Sequence, residues 1–433
     1  MKNKIYIIGF LITVFCGAQS RYELSVDHLF GLGVENSTKI KASQIKANIY
    51  AEKEALAKVQ KLPEIGLSAV NGYVGKPTVY DKDLSYVAHP EMPNWKQNYN
   101  VEISQPVYQG GRIKNQIKGA SIEKEIAGLD LEKQVADLKL ILMQNYLELF
   151  RLYKQKQVLQ ENIVQAKKRL HDIENLKKEG IVTNNDVLRS QIVVSNYELS
   201  LQETENDIVI ISQQLDIVLG LDENTIIIPD MDFLEKNILV ESEEYYVEQG
   251  YEKFPELKIS DFNIEKAKID EKIAKSKYLP VVSVNAGNTL MRPITTTSPV
   301  QDMFLNSWGV TLGISYKLSS WFDHKHTLNE VKYNIDLQEN IKEQTKQGIR
   351  INIKSAYIKH KEAMDRVEVL IKTVEQAKEN YRVTDNKYFN QLAILTDLLD
   401  ASTVQLNAEL QLTSAKANSI YTYYLLLNAS GNL

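Results

Sequence analysis

Cysteine is almost absent: Cys16 is the only one in the 433 residues. Beyond it there is no disulfide framework, no cysteine-based metal centre and no thiol chemistry. Proline is missing from 107–228 and from 300–433. Stretches this long without proline, rich in Leu, Ile, Glu, Lys and Gln, favour helix. After the first twenty residues no apolar run approaches the ~18 residues that a membrane-spanning helix needs. An excess of positive charge is lacking too, since 51 Lys and Arg face 56 Asp and Glu for a formal net charge of −5. That balance argues against a nucleic-acid partner. Catalytic constellations are also missing, with no Ser-His-Asp spacing, phosphate loop or HExxH. His324-Lys325-His326 comes nearest to a metal-ligand pair, but no cysteine or carboxylate cluster accompanies it. The sequence therefore predicts no enzyme, no metal and no cofactor.

What is present begins with MKNKIYIIGFLITVFCGAQS. Lys2 and Lys4 precede a short apolar run, and small residues follow at Cys16, Gly17 and Ala18. This predicts a secretory signal peptide over residues 1–18. Lipid attachment at Cys16 is the alternative, and Phe15 stands where a lipoprotein signal takes a small residue. An exported chain without an apolar helix is either soluble or enters a membrane as β-strands.

Proline placement divides the remainder. Pro63, Pro77, Pro90, Pro93 and Pro106 form one zone, Pro280, Pro293 and Pro299 a second, and Pro229 and Pro255 flank a linker at 229–255. The halves on either side align. ALAKVQKLP (55–63) lies over KIAKSKYLP (272–280), and NNDVLRSQIVVSNYELSL (184–201) lies over LTDLLDASTVQLNAELQL (395–412). The second register pairs Asp186 with Asp397, Asn196 with Asn407, Glu198 with Glu409 and Gly220 with Gly431. Matches at steady offsets predict an internal duplication, residues 19–228 and 256–433. Each half reads as a helix, two strands, a very long helix, a break and a return helix. The strands are expected at about 64–75 and 97–108, then 281–292 and 308–318. The long helices are expected at about 113–178 and 323–389, and the return helices at about 186–219 and 397–428.

The strand segments alternate with period two, as in Val310, Leu312, Ile314 and Tyr316, at about the length a tilted membrane strand needs. Aromatics gather in or beside them: Trp95, Tyr99, Tyr108, Trp308, Tyr316 and Trp321. Membrane–water interfaces select such residues. Four strands cannot close a barrel, and an open sheet edge in lipid would leave backbone groups unpaired at several kcal/mol each. If the strands lie in a membrane, several copies must share one barrel.

Each long helix spans about 66 residues, roughly 100 Å. In the first, Leu159, Ile163, Ala166, Leu170 and Ile173 step 4-3-4-3, a heptad seam that predicts conventional two-helix pairing. Nearer the strands, Leu131, Val135, Leu138, Leu142, Tyr146, Leu149 and Tyr153 follow a longer period, expected of a barrel wall.

The leader, the duplicated plan, ISQPVYQGGR (103–112), EGIVTNNDVL (179–188) and LTDLLDAS (395–402) together resemble the TolC-like outer-membrane efflux proteins. The resemblance covers essentially the whole chain after the leader. It implies a mainly α protein with membrane β: a homotrimer whose 12-stranded β-barrel, four strands per chain, is continuous with a long α-helical barrel in the periplasm. It implies no enzymatic activity. Implied partners are a periplasmic adaptor (membrane fusion) protein, an inner-membrane transporter and outer-membrane lipid. The implied function is a passive exit duct of a tripartite efflux or type I secretion system. Asp397 and Asp400 match the family's aspartates at the periplasmic entrance, where three copies make acidic rings. Asp186 and Tyr388 match a hydrogen-bonded pair that holds the entrance closed. Gly180 keeps the tip glycine, whereas Gln391 stands at the second tip, and Ala393 occupies the place of a basic partner. The competing class is a periplasmic coiled-coil adaptor or scaffold of an envelope transport complex, for which aromatic-edged strands in both halves would be idle. A secreted hydrolase is disfavoured by the missing catalytic groups.

Overall fold

The computed structural model describes residues 21–231, 233 and 240–433; the leader at 1–18, with Cys16, lies outside them. In chain order the elements are β1 (Arg21–Leu24), α1 (Val26–Asn36), α2 (Thr38–Val59), β2 (Glu64–Tyr73), β3 (Val79–Tyr80), β4 (Tyr86–Ala88) and β5 (Trp95–Tyr108). Then follow α3 (Arg112–Lys178), α4 (Asn184–Leu219), β6 (Ile226–Pro229), α5 (Glu243–Lys253) and α6 (Pro255–Ser276). The chain ends with β7 (Val281–Arg292), β8 (Leu305–Ser315), a 3-10 turn at Leu318–Phe322, α7 (His324–Phe389) and α8 (Leu395–Ala429). The chain divides into two compact units. One holds residues up to Ser43, Glu132–Phe254 and Gln347–Leu433; the other holds Gln44–Leu131 and Pro255–Lys346.

The second unit carries a four-stranded antiparallel sheet in the order β2-β5-β7-β8. Register sorts its side chains cleanly, because successive strand residues alternate between faces. Leu67, Val101, Asn288 and Trp308 fall in one cross-strand row, and Ile65, Ile103, Ala286 and Val310 in the next. That face is apolar and uncovered by the other described residues: Leu67 and Trp308 are each 78% exposed and Ile314 is 70% exposed. The opposite face carries Ser104, Asn100, Asn285, Thr289 and Thr311, with hydrogen bonds from Ser104 to Asn285 at 2.7 Å and from Thr289 to Asn100 at 2.9 Å. Glu102 sits on this polar face between Gly66 and Gly287, with Gly309 next in the row. An uncovered apolar face backed by a polar one is the pattern of strands set between lipid and water. Each edge strand, β2 and β8, has a partner on one side only among the described residues.

The strands differ from expectation at their ends. β5 begins two residues early, at Trp95. β8 runs from Leu305 to Ser315, so Trp308 lies within the strand and residues 316–318 lie past it. A small hairpin, β3–β4, crowns the β2–β5 connection.

The first unit is helical. The heptad seam is buried as its spacing requires: Leu159 is 1% exposed and Ile173 0%, with Ile163 and Ala166 between them. Leu159, Ile163 and Ala166 pack with Val194 and Tyr197 of α4 and Leu406 of α8. The longer-period stripe is buried at Leu138, Leu142, Tyr146 and Leu149. There the Tyr146 hydroxyl donates to the Leu24 carbonyl and accepts from the Asp230 N–H, both at 2.8 Å. Burial pushes its pKa up to about 12. Tyr146 thus binds the short parallel pair β1–β6, which joins Arg21–Leu24 to Ile226–Pro229. Gly33 allows α1 to pack here, since a Cβ would lie 2.3 Å from Leu142 Cδ1. The leading helix of the first half, expected at about 36–61, is α2; α1, which was not part of that expectation, precedes it and ends at Ser37, whose N–H bonds back to the Gly33 carbonyl at 3.1 Å.

Candidate functional site

The two helix breaks form equivalent turns. In the first, the Gly180 N–H donates to Lys177 O at 3.0 Å and the Ile181 N–H to Leu176 O at 2.9 Å. In the second, Gln391 donates to Tyr388 O at 2.9 Å and Leu392 to Lys387 O at 2.8 Å. This pattern closes a helix on one left-handed residue, normally glycine. Gly180 takes φ 73° and Gln391 takes φ 61°. The second turn therefore keeps its geometry despite the Cβ, at a cost of about 1–2 kcal/mol.

The return helices start earlier than their hydrophobic pattern suggests, because each start is capped. The Thr183 hydroxyl accepts from the Asp186 N–H at 3.3 Å, and Asp186 Oδ2 accepts from the Thr183 N–H at 2.8 Å and its hydroxyl at 2.7 Å. This reciprocal box satisfies two helix-end donors. In the second repeat Asp397 Oδ2 accepts from the Ile394 N–H at 3.3 Å, but isoleucine offers no hydroxyl in return. Asp397 and Asp400 are both exposed. Asp397 therefore has a capping role of its own, while Asp400 projects from the next turn with no partner among the described residues.

Beneath the turns, Ile173, Val187, Tyr388, Leu395 and Leu398 share one buried cluster, so both hairpins contribute to a single core. Above it Arg169 of α3 is 5% exposed. Its Nη2 donates to Tyr381 Oη on α7 at 2.9 Å and to Ser402 Oγ on α8 at 3.2 Å. Its guanidinium carbon lies 5.2 Å from the Tyr381 ring centre. Nε and Nη1 are buried without a hydrogen-bond partner. Burial raises the Tyr381 pKa, and the neighbouring Arg169 opposes that rise. Arg169, Lys168, Asp172, Glu179, Tyr381 and Asp385 line a cavity of about 680 Å³. Nearer the turns, Arg189 Nη1 of α4 donates to Thr396 Oγ1 of α8 at 2.9 Å.

The expected Asp186–Tyr388 hydrogen bond is not formed within the protomer. The Asp186 carboxylate is taken up by Thr183, and the Tyr388 hydroxyl is buried with no partner. The two are coupled only through charge: burial first, and the Asp186 carboxylate second, raise the Tyr388 pKa. Sequence reasoning missed both arginine ties. In the register that pairs Asp186 with Asp397, Arg189 is the repeat counterpart of Asp400. For Arg169 the available signal was its position seven residues after Asn162, in a polar stripe flanking the heptad seam, where both side chains are 5% exposed.

The aromatics divide by level on the sheet. Trp95 pairs with Tyr73 and Tyr99 with Ala69, on the apolar face toward the β3–β4 end. Trp308 shares that face, opposite Asn288. Tyr108 pairs with Val282 at the helix end. There Trp321 Nε1 donates to the Tyr316 hydroxyl. Among the described residues no group of His, Cys, Asp and Glu is placed to hold a metal, and no helix is long and apolar enough to cross a membrane.

Comparison with known proteins agrees with this geometry. The family model described as outer membrane efflux protein matches residues 32–221 and 249–432. No curated protein matches the chain by sequence. Among solved structures, the outer membrane protein VceC from Vibrio cholerae is similar at 16% identity and TM-score 0.76, over 94% of this chain and 96% of that one. CusC is similar at 12% identity and TM-score 0.77, over 97% and 96%. The open state of the Neisseria gonorrhoeae MtrE outer membrane channel is similar at 15% identity and TM-score 0.73, over 94% and 88%. Two repeats, an uncovered membrane-type sheet and a family match along most of its length lead to one assignment: the chain belongs to the outer membrane efflux protein family, non-enzymatic homotrimeric channels whose helical barrels reach into the periplasm to meet adaptor proteins and inner-membrane transporters.

Proposed function

We propose that the paired turns at residues 176–189 and 387–400 form the gate at the periplasmic entrance of this channel. Around the trimer axis, Asp397 and Asp400 then make two rings of carboxylates. Such rings favour cations and resist tight closure. The observation that carries this reading is the pair of arginine ties, Arg169 to Tyr381 and Ser402 and Arg189 to Thr396, which bind the first hairpin to the second. In the related proteins the resemblance places a basic partner where Ala393 stands; here the basic groups come from the first repeat. Opening consists of parting α7–α8 from α3–α4, which breaks those ties.

In the strand-bearing unit, Trp95, Tyr99 and Trp308 sit at the outer interface of the bilayer, and Tyr108, Tyr316 and Trp321 at the periplasmic one. Residues 19–228 and 256–433 act as two copies of one unit, joined by the 229–255 segment and preceded by a cleaved leader at 1–18. The duct itself supplies no energy: cargo moves down a gradient that the inner-membrane partner maintains.

The test is conductance in planar bilayers. Asp400→Asn together with Asp397→Asn, which keeps an oxygen to accept from Ile394, is expected to weaken cation preference and block by multivalent cations. Unchanged selectivity and unchanged block would remove the entrance assignment.

A further inference from the structure

In the strand-bearing unit, three connections between helix and sheet converge. They are Gln109–Gly111 before α3, Lys277–Pro280 before β7, and the 3-10 turn before α7. Gly110 has φ 62°, and a Cβ there would lie 2.9 Å from Leu279 Cδ1 and 3.0 Å from the Ser276 carbonyl oxygen. The first two connections therefore touch only because residue 110 is glycine. Ser320 Oγ donates to the Lys317 carbonyl at 2.5 Å, and Tyr278 Oη donates to Asp323 Oδ1 at 3.2 Å, which holds the third in place.

Between them lies a cavity of about 370 Å³ whose walls carry Arg112, Lys277 and Lys317 against one carboxylate, Asp323. Arg112 is oriented by Gln109, whose Oε1 accepts from Nε at 3.1 Å and from Nη2 at 2.7 Å, leaving Nη1 free of that contact. Lys277 and Lys317 are exposed and make no ion pair among the described residues. A preformed hollow with two uncompensated positive charges is suited to an anion.

Depth and surroundings narrow the class of anion. Val281 lines the cavity. The next residue, Val282, pairs with Ile314, the last apolar row of the lipid-type face. The cavity thus sits at the level where the apolar band ends on the helix side. Its 3-10 turn presents Leu318, Trp321 and Phe322 outward, Phe322 at 88% exposure. Positive charge immediately below a hydrocarbon band, beside protruding apolar and aromatic side chains, matches a headgroup and its acyl chains.

We propose that this cavity binds the phosphate headgroup of an anionic phospholipid from the leaflet facing the periplasm, with the acyl chains lying against Leu318, Trp321 and Phe322. The proposal rests on the outer-membrane placement of the sheet and is independent of the gate.

Native mass spectrometry of the detergent-purified full-length trimer tests it. Three probes are titrated: dioctanoyl phosphatidylglycerol, dioctanoylglycerol with the same tails but no phosphate, and inorganic phosphate. The phosphatidylglycerol is expected to saturate at one molecule per protomer, and the neutral lipid to leave no adduct. Inorganic phosphate is expected to leave the lipid bound even in tenfold excess. Lys277→Gln with Lys317→Gln is expected to weaken the lipid about 25-fold, each lysine near the surface being worth about 5-fold. Both side chains are exposed, and the same spectra report whether the trimer is intact. Should the pair disturb assembly, Lys317→Gln alone is read for its about 5-fold loss. Equal affinity in the variants overturns the site. Displacement by inorganic phosphate at equal concentration overturns the lipid assignment and leaves a free-anion site.

Discussion

Arg169 offers a test in which two ways of breaking one contact have opposite signs. The guanidinium is 5% exposed and, among the described residues, has no ion-pairing carboxylate and hydrogen bonds from Nη2 only. Its two hydrogen bonds come from a charged donor, about 1.5–3 kcal/mol each. The ring contact with Tyr381 adds about 1 kcal/mol. Against this stands the cost of taking the cation out of water, several kcal/mol. The gain and the cost nearly cancel, so the intact tie contributes little net stability while dictating which surfaces meet.

Removing the partners is different from removing the charge. Tyr381→Phe with Ser402→Ala leaves the cation buried with no hydrogen bond. In the proposed gate, the closed arrangement then loses about 3 kcal/mol, and the closed-to-open ratio falls roughly 150-fold. Arg169→Met removes the desolvation cost and retains an apolar stem of similar length, so alone it is neutral or favours closure. Placed on the Tyr381→Phe, Ser402→Ala background, it restores the closed channel. Conductance of the purified trimer in planar bilayers reads the ratio directly. If the double variant conducts like the wild type, or if adding Arg169→Met makes the channel leakier still, the desolvation argument fails.

Two further outcomes follow from buried groups outside the membrane. Asp216, at the end of α4, is 0% exposed; burial, reinforced by Asp222, raises its pKa from 3.8 to about 6. The folded state therefore holds its proton more tightly than the unfolded one, and stability falls as pH rises from about 4 to about 6, then levels. Asp216→Asn is expected to remove that slope and to stabilise this end of α4 by about 2–3 kcal/mol at pH 8, read as hydrogen-exchange protection over residues 212–220 after correction for intrinsic rates. An unaltered pH profile would refute the buried-carboxyl account. Tyr388→Phe deletes a hydroxyl that has no partner, so it is expected to be neutral or stabilising by up to about 1 kcal/mol in thermal unfolding. A loss of more than about 1 kcal/mol would mean that the Asp186–Tyr388 bond forms after all.

What could be read from the sequence was what repeats at short range. The 4-3-4-3 spacing from Leu159 to Ile173 located the buried seam, and period-two alternation located the strands to within a few residues. Proline zones located the sheet because proline is excluded from the helices on either side. What escaped depends on contacts distant in sequence or on conformations contrary to residue type. β1 and β6 are four residues each, too short to show a pattern, and pair across about 200 positions. The Arg169 tie spans 212 and 233 residues to its two acceptors. Gln391 stands where the first tip has glycine, yet the turn persists because flanking helices, packed through Leu395 and Tyr388, hold Gln391 left-handed. The Thr183–Asp186 box was legible in EGIVTNNDVL, where Thr and Asp stand three residues apart before an apolar run; the resemblance instead implied that Asp186 is a latch.

The same comparison predicts which hairpin moves. At the first turn the left-handed residue is Gly180 and the cap is Thr183, joined to Asp186 in both directions. At the second the equivalents are Gln391 and Ile394, so the turn carries about 1–2 kcal/mol of backbone strain and lacks a cap hydroxyl worth about 1 kcal/mol. The side chain of Arg189 is replaced by that of Asp400, which adds negative charge beside Asp397. The duplication has thus diverged toward one firm tip and one that is weaker by about 2–3 kcal/mol. Local opening populations follow such differences, so amide exchange in 387–400 is expected to exceed that in 176–189 by roughly 30- to 150-fold. Gln391→Gly with Ile394→Thr copies the first tip onto the second and is expected to bring the two rates together and reduce channel opening. Equal exchange at both tips in the wild type would show that neighbouring packing, rather than turn and cap chemistry, sets which hairpin yields.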